Sequence, residues 1–61
     1  MKLYEIFVSV SYVTDGGSKE HNCFKGYVEA NNENEAKRIF KSELKAEGYR
    51  DIKMDRPIAA E

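Results

Sequence analysis

Alternation between apolar and polar side chains near the start of the chain constrains the fold more than any other feature. Between Lys2 and Thr14 the even positions are apolar and mostly β-branched or aromatic: Tyr4, Ile6, Val8, Val10 and Tyr12. A period of two places alternate side chains on opposite faces of a strand. The sequence therefore predicts a long β-strand with one buried face.

A turn follows at Asp15-Gly16-Gly17-Ser18, where glycine supplies the positive φ angles that a tight hairpin requires. The returning strand is predicted over residues 19–30. A three-residue loop pairs Val8 with Phe24, Ile6 with Gly26 and Tyr4 with Val28. A slip of one residue would bring Lys25 opposite Val8 on the core side, where its ammonium loses solvation. The first register is therefore favoured.

A helix is predicted over residues 33–47. Asn32 followed by Glu35 resembles a capping box, and Gly48 is a typical stop signal. Within these limits the apolar residues recur at helical spacing: Ala36, Ile39, Phe40 and Leu44. Glu43 falls among them, so either the buried arc is narrow or Glu43 has a partner.

Residues 49–56 alternate again, with Ile52 and Met54 on one parity, and predict a short third strand. Pro57 cannot donate to a strand ladder, so it ends this strand or protects its edge. The resulting fold class is α+β, in the order β-β-α-β: a three-stranded antiparallel sheet of order 2-1-3 with one helix on one face. Residues 1–61 form a single small domain, with residues 58–61 expected to fray.

Composition excludes several classes of function. The chain has 61 residues, and its 10 Lys+Arg against 11 Asp+Glu give a net charge of −1. This balance disfavours nonspecific coating of nucleic acid, which needs a basic excess. The single cysteine, Cys23, suits a reducing compartment, and no apolar run is long enough to cross a membrane. We therefore expect a cytoplasmic protein with no membrane partner.

His21 and Cys23 are the obvious candidates for chemistry, because they lie two residues apart on one strand face. Nothing in the sequence orients the imidazole as a base, and a structural zinc site needs four ligands. Two outward-facing strand residues are the favoured interpretation. We predict no enzyme activity, no catalytic residue, no metal site and no cofactor.

The first candidate binding surface is a stripe of cations on the helix: Lys37, Arg38, Lys41 and Lys45. Like charges four residues apart mildly destabilise a helix, so the stripe calls for an external reason. Solubilisation of the outer helix face is the structural alternative. An acidic protein or a nucleic-acid backbone would be the matching partner.

The second candidate is the uncovered sheet face. The favoured register makes Phe7 and Tyr27 diagonal neighbours, with Lys25 beside them. The same face carries Ser9, Ser11 and His21. Aromatic residues on an open sheet stack bases in some RNA-binding folds and anchor protein interfaces in others. Cover by a neighbouring copy of the chain or by its C-terminal tail is the alternative.

Two resemblances concern the hairpin with its Asp-Gly-Gly turn and the segments Gly26-Tyr27-Val28-Glu29-Ala30 and Asn34-Glu35-Ala36-Lys37-Arg38. In outline, residues 2–54 resemble the HicB-type antitoxins and the very small phage-encoded anti-defence proteins, including anti-CRISPR proteins. The second resemblance implies a non-enzymatic inhibitor that blocks a surface of a larger host complex and, if it is phage-encoded, acts in the host cytoplasm.

A protein-binding module is therefore the leading functional prediction, in which the contact residues lie on the helix stripe or on the sheet face. RNA or single-stranded DNA binding through the sheet face is the alternative. An antitoxin-type domain similar to HicB is a further one. A homodimer through the faces carrying Phe7 and Tyr27 is also predicted, because a short chain with free sheet edges gains stability from a second copy.

Overall fold

The structure is a computed structural model, and it describes residues 1–60. Its elements in chain order are β1 Lys2–Val13, β2 Lys19–Ala30, α1 Glu33–Ala46, β3 Arg50–Met54 and β4 Ile58–Ala59. The strands form one antiparallel sheet of order β2-β1-β3, and β4 also pairs with β1. Since β2 pairs along the whole of one edge of β1, β3 and β4 share the other edge. The predicted α+β class and strand order are confirmed.

The hairpin has the predicted register. Val8 lies opposite Phe24 and Tyr4 lies opposite Val28. In the turn, the Thr14 amide donates to the Ser18 carbonyl at 2.9 Å, and the Gly17 amide donates to the Thr14 carbonyl at 2.9 Å. Gly17 adopts a φ of 84°, which explains why glycine is needed at this position.

Local side-chain and backbone bonds fix both ends of α1. The Asn32 side chain accepts from the Glu35 amide at 2.8 Å, as predicted, while the Glu35 carboxylate accepts from the backbone of Asn31 rather than from Asn32. At the other end Gly48 has a φ of 95°. The Tyr49 amide donates to the Leu44 carbonyl at 3.1 Å, which closes a Schellman motif.

The core lies between α1 and the even-numbered face of β1. Its buried residues come from three elements: Tyr4, Ile6, Val8, Val10, Val28, Ala30, Ala36, Phe40 and Leu44. Ile39 is half-buried and Glu43 is exposed, so the buried arc of the helix is narrow. The ring of Phe40 rests on Gly26, where a Cβ would lie 2.8 Å from Cε1 of the ring. The helix can approach β2 only because Gly26 has no side chain.

Tyr49 closes the core beyond the end of the helix. Its ring lies 6.0 Å from the ring of Tyr12 in an edge-on arrangement and 5.9 Å from the ring of Phe24. Such aromatic contacts add to the area that they bury. The residue after the helix stop therefore extends the packed layer towards the hairpin turn.

The predicted frayed tail is replaced by a short strand where the structure describes it. Ile58 and Ala59 pair with Glu5 and Tyr4 of β1, and the Ala60 amide donates to the Leu3 carbonyl at 2.8 Å. β3 covers only part of β1, so this edge is free to pair with the returning chain. Glu61, the last residue of the predicted tail, lies outside the described residues.

Candidate functional site

The face of the sheet opposite α1 has no covering element, and we call it the open face. It comprises the odd-numbered residues of β1 from Leu3 to Val13 and their cross-strand neighbours. Four large apolar residues stand exposed on it: Phe7 at 45 %, Val13 at 59 %, Tyr27 at 54 % and Ile58 at 56 %. The most exposed apolar side chains of the strands therefore share one surface.

The sequence-predicted residues Phe7, Lys25 and Tyr27 lie together near the middle of the open face. Lys25 is the cross-strand partner of Phe7, and Tyr27 is the partner of Glu5, which makes the two aromatic residues diagonal neighbours. The Lys25 ammonium stands 5.9 Å from the Phe7 ring centre and 5.7 Å from the Tyr27 ring centre. Cation–π attraction holds the lysine over this pair.

Charges of both signs surround the aromatic pair. The open face carries four cations, four carboxylates and one histidine: Lys19, Lys25, Arg50, Lys53, Glu5, Glu29, Asp51, Asp55 and His21. With the histidine neutral, the cations and the carboxylates are equal in number. This surface therefore lacks the positive field that attracts a phosphate backbone.

Ser11 was expected on the uncovered face with Ser9 and His21, yet its side chain is only 1 % exposed. The pairing of β1 with β3 shifts register between Ser9 and Ser11, and Asp51 has a φ of 50° at this irregularity. The Ser11 hydroxyl lies 2.7 Å from a carboxylate oxygen of Asp51, to which it donates. A bulge, which alternation in the sequence does not reveal, therefore folds Asp51 over Ser11.

Lys19 completes this cluster with an ion pair to Asp51 at 2.9 Å. The Ser11 hydrogen bond, and then the bond and charge of Lys19, lower the pKa of the Asp51 carboxyl below its usual value. His21 lies opposite Ser11 across the hairpin. The Ser11 hydroxyl donates its hydrogen bond to the carboxylate and not to an imidazole, so the arrangement differs from a serine–histidine–aspartate triad.

His21 and Cys23 line one shallow depression with Lys19, Asp51 and Lys53. Both side chains are exposed, and Cys23 is a free thiol. Residues 1–60 contain no cluster of three or more potential metal ligands among His, Cys, Asp and Glu. This depression offers one imidazole and one thiol without a group that orients them.

The helix cations border a second surface, which we call the basic groove: Lys37, Arg38 and Lys41 on α1, with Ile52 and Met54 on β3. The two apolar side chains are half-buried and form its floor, while the three cations are exposed. Lys45 lies one turn further on, in the last turn of the helix. The structure thus places the predicted stripe beside apolar surface on β3.

Ion pairing in the described part of the chain leaves the cations of the basic groove available. The ion pairs found there join Lys19 to Asp51 and Arg56 to Glu33. The second pair is bidentate, with N–O distances of 3.0 and 3.3 Å, and its hydrogen bonds lower the pKa of Glu33 and raise that of Arg56. Lys37 contributes only a longer-range attraction to Glu33.

Sequence reasoning missed Asp55 and Ile58 as members of the open face. The Asp55 amide donates to the Phe7 carbonyl at 2.9 Å, and Ile58 lies opposite Glu5. Both residues reach the open face because the chain after β3 runs back along the first half of β1, from Phe7 towards Leu3. The sequence indicates this return only through length. β1 is much longer than β3, so part of its edge needs another partner.

Within the described residues the helix α1 is not long and apolar enough to span a membrane. No protein-family model, curated protein or solved structure matches the chain.

Proposed function

We propose that the protein is a non-enzymatic protein-binding module that covers a surface of a larger complex, and that the basic groove makes the contact. The observation that carries this proposal is the position of Lys37, Arg38 and Lys41 around the apolar floor of Ile52 and Met54. None of the three cations has an ion-pair partner within the described residues.

The groove combines two kinds of attraction. Exposed cations speed association with an acidic surface, because they raise the rate of productive encounter. An apolar floor adds contact area that an apolar side chain of the partner can bury. The fitting partner is therefore an acidic protein segment that carries at least one apolar anchor.

The outline resemblance to phage-encoded anti-defence proteins makes bacterial defence complexes the first partners to test. Tagged wild-type protein would be used to capture purified complexes of this class. The variant Lys37→Glu/Lys41→Glu should lose a captured complex. The control Lys2→Glu/Arg50→Glu makes the same change in net charge at exposed residues outside the groove and should retain it. Equal retention by both variants, or no capture across a broad set of complexes, would contradict the proposal.

RNA or single-stranded DNA binding is the second candidate, and the exposed pair Phe7 and Tyr27 is the observation in its favour. Stacking contributes ~1–3 kcal/mol per base. The carboxylates of the open face oppose it, because they repel phosphate. Fluorescence anisotropy with mixed RNA and single-stranded DNA at low salt would detect such binding, and Phe7→Ala should then weaken it several-fold. A HicB-like antitoxin function, based on outline resemblance, predicts capture of a toxin protein instead.

A further inference from the structure

The groups on the two sides of Phe7 across the open face are complementary to each other. Lys25 lies opposite Phe7 on β2, and Asp55 bonds to the Phe7 backbone on the other side. In the next row Tyr27 and Ile58 flank Glu5 on β2 and β4. In the first row a cation and a carboxylate lie on opposite sides of β1, and in the second row an aromatic ring and an aliphatic side chain do.

A second copy of the chain can provide complementary groups for both rows at once. Rotation by 180° about an axis that runs close to the direction of β1 keeps the central rows in place and exchanges their two sides. Lys25 of each copy then faces Asp55 of the other, and Tyr27 of each faces Ile58 of the other. Phe7 meets its own counterpart on the axis. Because the interface is symmetric, every contact away from the axis occurs twice.

Sheet packing is compatible with this superposition near its centre. Sheets that pack face to face lie ~10 Å apart and cross at ~30°. The two copies of β1 therefore diverge towards their ends, and the match is best within one row of the crossing point. The rows of Phe7 and Glu5 meet this condition.

We propose that the open face binds a second copy of this chain, in a two-fold dimer centred on Phe7 with reciprocal Lys25–Asp55 ion pairs and Tyr27–Ile58 contacts. β1 and β2 pair over their full lengths, and the molecule measures 40 Å by 17 Å in its two longest dimensions, so the open face is of the same order as the ~800 Å² that each partner of a standard interface buries. Three of the four exposed apolar residues of the open face, Phe7, Tyr27 and Ile58, lie in the central rows that the dimer covers. It does not depend on the basic groove, which lies outside the contact in both copies.

Glu5 opposes association at the centre of the proposed interface. It lies on β1 between Tyr27 and Ile58, so the two-fold axis brings it against Glu5 of the second copy. Like charges held together at an interface oppose association. Replacement by glutamine keeps the shape and removes the repulsion, so Glu5→Gln should tighten the dimer.

Sedimentation velocity on the full chain, over about 1 to 100 µM, tests the proposal. Wild-type protein should dimerise in this range. Lys25→Glu and Asp55→Lys should each raise the dimer dissociation constant ~10-fold or more, because each creates two like-charge contacts. An equimolar mixture of the two variants should recover a dimer near wild-type strength, since each variant supplies the charge that the other lacks.

Lys2→Glu, at an exposed residue on the even-numbered face of β1, is the control and should leave the dissociation constant unchanged. All of these residues except the half-buried Glu5 are exposed, and circular dichroism would establish that each variant is folded. If the wild-type protein stays monomeric throughout the range, the proposal is overturned. This holds even if the open face of that monomer binds some other protein. A dimer that is indifferent to Lys25→Glu, or single variants that fail to recover on mixing, would also overturn it.

Discussion

The ring of Phe40 lies directly on Gly26, so that one helix residue and one strand residue set the distance between α1 and the sheet. Gly26 pairs with Ile6, which is fully buried. The contact therefore lies at the centre of the core. Neither residue can change in size without moving the helix.

Gly26→Ala should destabilise the protein by ~1–3 kcal/mol, because the added methyl group overlaps the Phe40 ring in a packed core. Urea denaturation followed by circular dichroism would measure the loss. Gly16→Ala is the matched control, since a Cβ there meets only the Thr14 hydroxyl at 3.9 Å. A loss no larger for Gly26→Ala than for this control would show that the helix adapts freely.

The fold could be predicted from the sequence because its signals are local. Alternation places Tyr4, Ile6 and Val8 on one face, and the Asp-Gly-Gly turn sets the register that brings Val8 opposite Phe24. The caps at Asn32 and Gly48 likewise depend on residues within one helical turn.

Features that depend on contacts between distant parts of the chain were harder to predict from the sequence. The bulge at Asp51 exists because a carboxylate from β3 meets Ser11 and Lys19 from two other strands. The alternation of residues within β3 does not predict these contacts, because the other two residues are distant in the sequence. The pairing of Ile58 similarly depends on an unoccupied edge of β1 more than fifty residues earlier, so part of the open face could not be assigned from the sequence.

The Asp51 carboxyl should titrate below its ordinary pKa of about 3.9, because the charged form accepts from Ser11 and pairs with Lys19. A folded-state pKa below the unfolded value means that this contribution to stability is complete above the unfolded pKa and is lost as pH falls through the folded one. NMR titration of the carboxyl carbon would measure it.

Ser11→Ala should raise the Asp51 pKa towards the ordinary value, since it removes the largest cause of the shift. Asp15→Asn, in the exposed turn, should leave the Asp51 titration unaltered. An unchanged Asp51 pKa in Ser11→Ala would show that the hydroxyl does not bond to the charged carboxylate.

Arg56→Ala should loosen β4 without unfolding the rest of the sheet. The bidentate bond to Glu33 ties the segment between β3 and β4 to the start of α1, and the adjacent Pro57 is buried. Hydrogen exchange at the Ala60 amide, which donates to Leu3, should accelerate, while exchange in the hairpin stays constant. Arg50→Ala, an exposed arginine outside this pair, is the control. Equal exchange at Ala60 in both variants would count against the tether.

Charge reversal and aromatic truncation separate the two candidate surfaces kinetically. Against an immobilised partner bound through the basic groove, Lys37→Glu/Lys41→Glu should lower the association rate roughly tenfold or more and reduce its dependence on salt, because steering is lost. Phe7→Ala should leave that association rate unchanged, since Phe7 lies on the opposite face of the sheet from α1. Surface plasmon resonance at two ionic strengths resolves both rates. The reverse pattern, with normal association by the double reversal and faster dissociation by Phe7→Ala, would assign the partner to the open face, because anchors buried at the centre of an interface act mainly on dissociation.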